Sequence, residues 1–206
     1  RIVREQGEIA EAIARASSEA EKAFGDGALY VERLIENARH IEVQIVGDSA
    51  GDILHFYERE CSVQRRHQKI IELAPAPGLA PGLRQKLCDA ALALARAAQY
   101  RSLGTFEFLV EGGASDDDSF YFIEANPRLQ VEHTITLGVD LVQIQLRIAG
   151  GERLKDMGFA QGAPAPRRSA IQLRINCERI EANGAITPTG GIVSVFEPGA
   201  GPGVRV

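Results

Sequence analysis

No run in this chain approaches the roughly 18 consecutive apolar residues that a membrane-crossing helix needs, and Arg1 to Ala10 hold no apolar signal core. A membrane or secreted reading therefore lacks support. Cysteine is scarce: Cys61, Cys88 and Cys177 are odd in number, far apart and never spaced as CxxC. That argues against a disulfide framework and a structural zinc site, and for a reducing interior, cytoplasmic or, in a eukaryote, the mitochondrial matrix. Positive charge is in deficit, with 23 Lys and Arg against 28 Asp and Glu. General nucleic-acid binding is thereby disfavoured, while a local basic pocket for a small anion stays open. No GxSxG elbow and no motif-defined Cys–His pair suggests a nucleophile triad, and there is no internal repeat. What is present, 206 residues of which 45% are hydrophobic and 25% charged, suffices for a buried core in one or two domains.

The spacing of Ile9, Ile13, Ala16, Ala20 and Phe24 predicts a helix over 8–24, stopped by Gly25. Leu29 to Ile35 reads as extended. His40 to Val46 alternates, with Ile41, Val43 and Ile45 towards a core and His40, Glu42 and Gln44 on a polar face, and Ile53 to Tyr57 reads as its return strand. Prolines and glycines from Ala74 to Gly82 mark a connector. Beyond it Leu83, Leu87, Ala90, Ala91, Leu94 and Ala98 form one helical stripe. Thr105–Val110 and Phe120–Ala125 predict a second hairpin, Gly138–Ala149 a further helix and Ala170–Asn176 a strand, with short strands and turns filling the remainder. A domain boundary is expected within 150–168, where Gly158, Gly162, Pro164 and Pro166 cluster.

The chemistry concentrates in three places. After the apolar run Phe120–Ile123, the polar side chains of Glu124, Asn126, Arg128, Gln130 and Glu132 alternate, which in extended backbone sends all five to one face. A solvated strand face accounts for alternation alone. The mixture of carboxylate, amide and guanidinium is what a metal–phosphate site needs, since carboxylates hold the cation and Arg the anion. Glu107 stands inside the apolar Thr105–Leu109 and needs a partner. Should the two strands pair, Glu107 and Glu124 can face one another and call for a cation between them. Hard oxygen ligands with no Cys or His nearby point to Mg²⁺ or Mn²⁺. Alternatively, Glu107 faces solvent or pairs with Arg or Lys. Glu58 to Lys69 is a charge-rich run in which Arg65, Arg66 and Lys69 make a cationic patch, read either as a phosphate or bicarbonate receptor or as a solvated loop. His40 and His67 alone say little, and Cys61 reads as a small buried hydrophobe.

Glu58-Arg-Glu-Cys-Ser-Val-Gln-Arg-Arg-His-Gln-Lys69, Gly104-Thr-Phe-Glu-Phe108 and Phe122-Ile-Glu-Ala-Asn-Pro-Arg-Leu-Gln-Val-Glu-His133 resemble the signatures of biotin carboxylase, an ATP-grasp enzyme. The likeness runs in order over essentially the whole chain, including Asn37–His40, Ala74–Pro77, Gly138–Leu141 and Arg174–Asn176. It implies an α+β class: an ATP-grasp fold, an antiparallel sheet with flanking helices, followed by the start of a carboxyl-terminal domain. Residues 1–35 would end the lid, 36–157 form the core with the metal and bicarbonate site, and 158–206 begin that last domain. The implied activity is a ligase reaction: MgATP phosphorylates bicarbonate to carboxyphosphate, which delivers CO₂ to N1 of biotin on a partner protein or domain. By resemblance Glu107 and Glu124, with Asn126, would hold metal. Lys69, Arg128, Gln130 and the Val131 backbone would hold bicarbonate, Glu132 would be the base and Arg174 would stabilise the biotin enolate. Glu32, Arg33 and Leu34 would meet adenine, with Leu109 beneath it and His40, Gln64 and His67 towards ribose and phosphates; Arg33 stands where Lys is common.

The implied partners are ATP, bicarbonate, a biotin carboxyl carrier domain and a carboxyltransferase, in a homo-oligomeric complete enzyme of acyl-CoA, pyruvate or urea carboxylase type, without nucleic acid or membrane. The chain begins where the family's glycine-rich lid loop has just ended, so it is expected not to turn over alone. The segment after His133 is about three residues shorter than in the family, enough to bear on the placing of Glu132. The alternatives are a carbamoyl-phosphate synthetase-like ligase and a non-catalytic scaffold.

Overall fold

The computed structural model describes residues 1–136 and 138–206; Leu137, in the short segment after His133, lies outside the described residues. Six strands, β1 (Arg39–Gly47), β2 (Ile53–Arg65), β3 (Gln68–Ala74), β4 (Ser102–Val110), β5 (Phe120–Asn126) and β6 (Ala170–Leu173), form one sheet. Its order is β5-β4-β1-β2-β3-β6, and every neighbouring pair is antiparallel. Helix α1 (Ile9–Phe24) buries none of its residues, whereas α2 (Pro81–Ala97) and α3 (Leu141–Ala149) pack on the sheet, and β7 (Glu178–Ile180) pairs with β8 (Ile186–Pro188) separately. Among the described residues no helix is long and apolar enough to cross a membrane.

The two faces of the sheet have different chemistry because side chains alternate along each strand. One face packs Ile41, Val43, Ile45, Phe106, Phe108 and Val110 against Leu83, Leu87, Cys88, Ala91 and Ala95 of α2. The buried stripe of α2 therefore runs through Cys88 and Ala95, and the predicted Leu94 and Ala98 lie outside it. A second core joins Val46, Phe56 and Leu103 to Leu141, Ile144 and Leu154. The polar face of β1 is not solvated: Glu42 and Gln44 are as buried as their apolar neighbours.

Several expectations change. Residues 29–35 form no strand, β2 runs on through the charged segment to Arg65, and β3 starts at Gln68, so the charge-rich run is a hairpin rather than a loop. Arg66 and His67 make its turn with φ of 51° and 63°. The last predicted strand ends at Leu173 and no strand lies beyond Pro188. Helix α3 begins at Leu141, where Asp140 accepts a hydrogen bond from the Gln143 amide. Phe122 and Ile123 are partly exposed, since β5 is an edge strand.

Between the Glu107–Glu124 and Phe108–Phe122 pairs of β4 and β5 lies a bulge, one extra residue in β5. Without it, the alternation that puts Tyr121 beside Leu109 would send Glu124 to the opposite face; the bulge turns Glu124 and Asn126 onto the face of Glu107. Gly104, one strand residue before Thr105, leaves room for Tyr100: a Cβ there would lie 2.0 Å from the Tyr100 hydroxyl and 2.9 Å from the Asn126 carbonyl oxygen. Tyr100 donates that hydroxyl to the Leu103 carbonyl at 2.8 Å. Gly104→Ala should therefore cost about 1–3 kcal/mol in urea unfolding by displacing Tyr100 and the end of β5; unchanged stability would show that this contact is slack.

Candidate functional site

Lys69 is the centre of the polar face. Its Nζ donates to Glu42 of β1 at 2.5 Å, to Glu107 of β4 at 3.1 Å and to Glu132 at 2.8 Å. Glu132 arrives from a 3-10 turn at Val131–Ile135, and on its far oxygen it accepts from Arg174 at 2.8 Å. Glu42 has a second cation in Arg59, fully buried, whose Nε lies 2.5 Å away; Arg59 also donates to Gln44 and Thr136. His40 lies 2.5 Å from the other oxygen of Glu107 and 2.7 Å from Gln64.

Glu107 and Glu124 stand opposite in the β4–β5 register, and the Asn126 amide donates to both, at 2.9 and 3.2 Å. Glu107 thus faces Glu124 and pairs with Lys69, and it is buried rather than turned to solvent. Histidine and cysteine do stand nearby, against expectation: His40 touches Glu107, and the Cys61 sulfur lies within 4.8 Å of ligand atoms of Glu42 and Glu132. Burial pushes the Cys61 thiol far up, with Glu42 adding to the shift, which favours the protonated thiol.

Burial would raise both acids, but their partners win. His40 and Lys69 bring Glu107 down to about 2, and Lys69, with Arg59 behind it, holds Glu132 below the ordinary carboxylate range. Burial would lower Lys69, yet Glu42 and the surrounding acids raise it, so its charge is secure. The carboxylates of Glu42, Glu72, Glu107 and Glu132 pack with the cations Arg59, Lys69 and Arg174, burial raising the proton affinity of Glu72, while Glu124 and Arg128 both line the cavity. A divalent cation at Glu107 and Glu124 fits their facing register and their hard oxygen donors.

One cavity of about 380 Å³ is lined by His40, Gln64, His67, Lys69, Glu107, Glu124, Asn126, Arg128, Gln130, Val131, Glu132 and Arg174 among others, within the range of small-molecule sites. The five alternating residues all reach it, although β5 ends at Asn126 and regular extension is lost beyond. Glu32, Arg33, Leu34 and Leu109 do not line it. Leu109 pairs with Tyr121, and Arg33 stacks over that ring at 5.5 Å and donates to its hydroxyl at 2.9 Å. The expected cationic patch is dispersed: Lys69 enters the pocket, Arg65 pairs with Glu178 and Arg66 donates to the Ile186 carbonyl. Sequence reasoning passed over Arg59, Glu42 and Glu72 as participants. For Glu42 a signal existed, a carboxylate alternating with β-branched core residues.

Lys69→Met should destabilise the chain by about 3–5 kcal/mol at pH 7, because three carboxylates lose their common cation. Depressed carboxylates stabilise the fold above their unfolded pKa, and that contribution fades as pH falls from about 4.5 towards the folded value of about 2 for Glu107. The difference between wild type and variant in urea unfolding should therefore shrink on acidification; a pH-independent difference would mean lost packing instead.

The family described as "Carbamoyl-phosphate synthase L chain, ATP binding domain" matches residues 1–157. The chain is 50% identical over 202 residues to pyruvate carboxylase 1 of Caenorhabditis elegans, covering 97% of this chain and 17% of that protein. It resembles the solved biotin carboxylase domain of a single-chain bacterial carboxylase, with 48% identity and a TM-score of 0.79, over 100% of this chain and 43% of that one. It also resembles the biotin carboxylase domain dimer of Hydrogenobacter thermophilus 2-oxoglutarate carboxylase in complex with MgADP, ADP and bicarbonate. There the identity is 41% and the TM-score 0.76, over 86% of this chain and 38% of that one. The chain spans 17% to 18% of the length of the pyruvate carboxylases it matches.

Proposed function

The chain belongs to the carbamoyl-phosphate synthase L chain ATP-binding family, on its biotin carboxylase side, and on that premise we propose that it serves the ATP-dependent carboxylation of biotin by bicarbonate through carboxyphosphate. The observation that carries this is the position of Lys69, whose one ammonium joins the facing pair Glu107–Glu124 to Glu132 and Arg174. A metal-binding hairpin and an anion cradle thus share one pocket, as a phosphoryl transfer to a small anion requires.

Glu107 and Glu124, with Asn126 beside them, are the residues to hold Mg²⁺ or Mn²⁺, which supplies charge neutralisation for the nucleotide phosphates. The adenine is assigned to the Glu32–Leu34 backbone with Leu109 beneath it, and His40, Gln64 and His67 to ribose and phosphates. Lys69, Arg128, Gln130 and the Val131 amide orient bicarbonate. An oxygen of bicarbonate attacks the γ-phosphorus, ADP departs, and the bicarbonate proton passes to Glu132. The C–O bond of the carboxyphosphate so formed breaks to give CO₂ and inorganic phosphate, the phosphate takes the N1 proton of biotin, and the N1 anion attacks CO₂ to form carboxybiotin, Arg174 offering its charge to the ureido oxygen as negative charge builds there. The reading brings with it a biotin carboxyl carrier domain, a carboxyltransferase, a homo-oligomeric complete enzyme and a cytoplasmic or mitochondrial-matrix setting.

In a full-length carboxylase carrying this segment, Glu124→Gln should lower bicarbonate-dependent phosphate release from MgATP by about 10²–10³-fold, with the loss partly offset by raised Mg²⁺. Full activity in that variant, at any metal concentration, would remove the hairpin from the reaction.

A further inference from the structure

Within the carboxylation reading above, on which this inference rests, we propose that Glu72 of β3 is a positioning residue for Arg174, gripping one edge of its guanidinium so that the other edge serves the pocket. Glu72 is fully buried and does not line the cavity, so it touches no ligand. Its Oε1 lies 2.6 Å from Arg174 Nε, while the Arg174 terminal nitrogen donates to Glu132 at 2.8 Å. Among the described residues no hydrogen bond serves either carboxylate oxygen of Glu72 or the Nε of Arg174, so this ion pair is the principal polar contact of each.

The chain around Arg174 explains why such a grip is needed. Strand β6 is a four-residue edge strand that ends at Leu173, and Ile175 is 87% exposed. The Arg174 backbone is tied to the sheet by its amide, which donates to the Ile70 carbonyl at 2.9 Å, and its side chain has to be aimed from there. Glu72 pairs with Gln172 across β3 and β6, two residues before Arg174, so its side chain rises from the sheet beside the arginine stem. Burial raises the proton affinity of Glu72 and Arg174 opposes that rise, so the ionised carboxylate depends on the arginine staying against it, and the guanidinium is held at Nε whichever anion meets its terminal nitrogens. When Glu132 gives up Arg174 to a ligand, Glu72 keeps the guanidinium in place. Arg174 then exchanges one partner while retaining the other.

The experiment separates two half-reactions in a full-length carboxylase carrying this segment: phosphate release from MgATP dependent on bicarbonate alone, and its stimulation by free biotin. Glu72→Gln should lower the biotin-dependent kcat/KM by roughly tenfold or more through a misaimed Arg174. The biotin-free rate should stay within about threefold of wild type, a split that a general loss of structure does not produce. Adding Glu72→Gln to Arg174→Ala should change the biotin-dependent rate by less than about twofold beyond Arg174→Ala, because Glu72 acts through that side chain. Equal loss of both half-reactions, an unchanged biotin response, or effects that multiply in the double variant would each overturn the proposal. Glu72→Asp, which keeps the charge and shortens its reach, carries the same comparison where the amide variant does not fold: selective loss supports the grip and uniform loss overturns it. If Arg174→Ala alone leaves the biotin response intact, the carboxylation reading fails; if Arg174→Ala abolishes it and Glu72→Gln does not touch it, only the role of Glu72 fails.

Discussion

One ammonium group surrounded by three carboxylates sets the terms for the rest of the molecule. Glu42, Glu107 and Glu132 are each almost fully buried, and an uncompensated carboxylate in that position would cost several kcal/mol. Lys69 compensates them only if β1, β4 and the turn at Val131–Ile135 all come within reach of β3. The sheet order answers that demand. Strand β1 lies at its middle with β4 on one side and β2 and β3 on the other, so a side chain from β3 reaches across β2 to meet acids from both β1 and β4. Arg59, from the intervening β2, fills the space between and satisfies the second oxygen of Glu42. The apolar core on the opposite face supplies the non-directional attraction, and this strand order and register satisfy the charge pairing.

How much of this could be read from the residues depends on whether a feature is local. The alternation from Glu124 to Glu132 is local and named the pocket-lining set, although extended backbone carries it only as far as Asn126 and the turn that follows brings Arg128, Gln130 and Glu132 to the cavity. The facing of Glu107 and Glu124 followed from hairpin pairing, though the bulge that secures it left no mark in the pattern beyond aromatic residues on both sides. The helices α1 and α2 were legible from spacing and from Gly25, which takes φ of 72° at the end of α1. By contrast, the face of β1 bearing Glu42 and Gln44 looks solvated in sequence, since polar residues normally mark the wet side. Only tertiary structure shows it covered by Arg59, Lys69 and the turn that follows β5. The charge-rich hairpin misled for the same reason: composition cannot distinguish a solvated run from charges that neutralise one another inside.

The low proton affinity of Glu132 stands, at first sight, against the base role proposed for it. Burial alone would raise it, and it is depressed by Lys69 and, behind that, by Arg59. Two cations contact it directly, Lys69 on one oxygen and Arg174 on the other. These are also the cations assigned to bicarbonate and to biotin, so a ligand cannot be held without drawing one or both away. Each withdrawal removes a favourable charge from the ionised carboxylate while its desolvation persists, and both changes move the pKa upward. On the proposed assignments the group is therefore ionised and weakly basic while both cations hold it, and it gains proton affinity when bicarbonate draws them away. Such coupling needs the two cations to remain anchored elsewhere during the exchange. Lys69 keeps Glu42 and Glu107, and Arg174 keeps Glu72, which lies behind the pocket rather than in it.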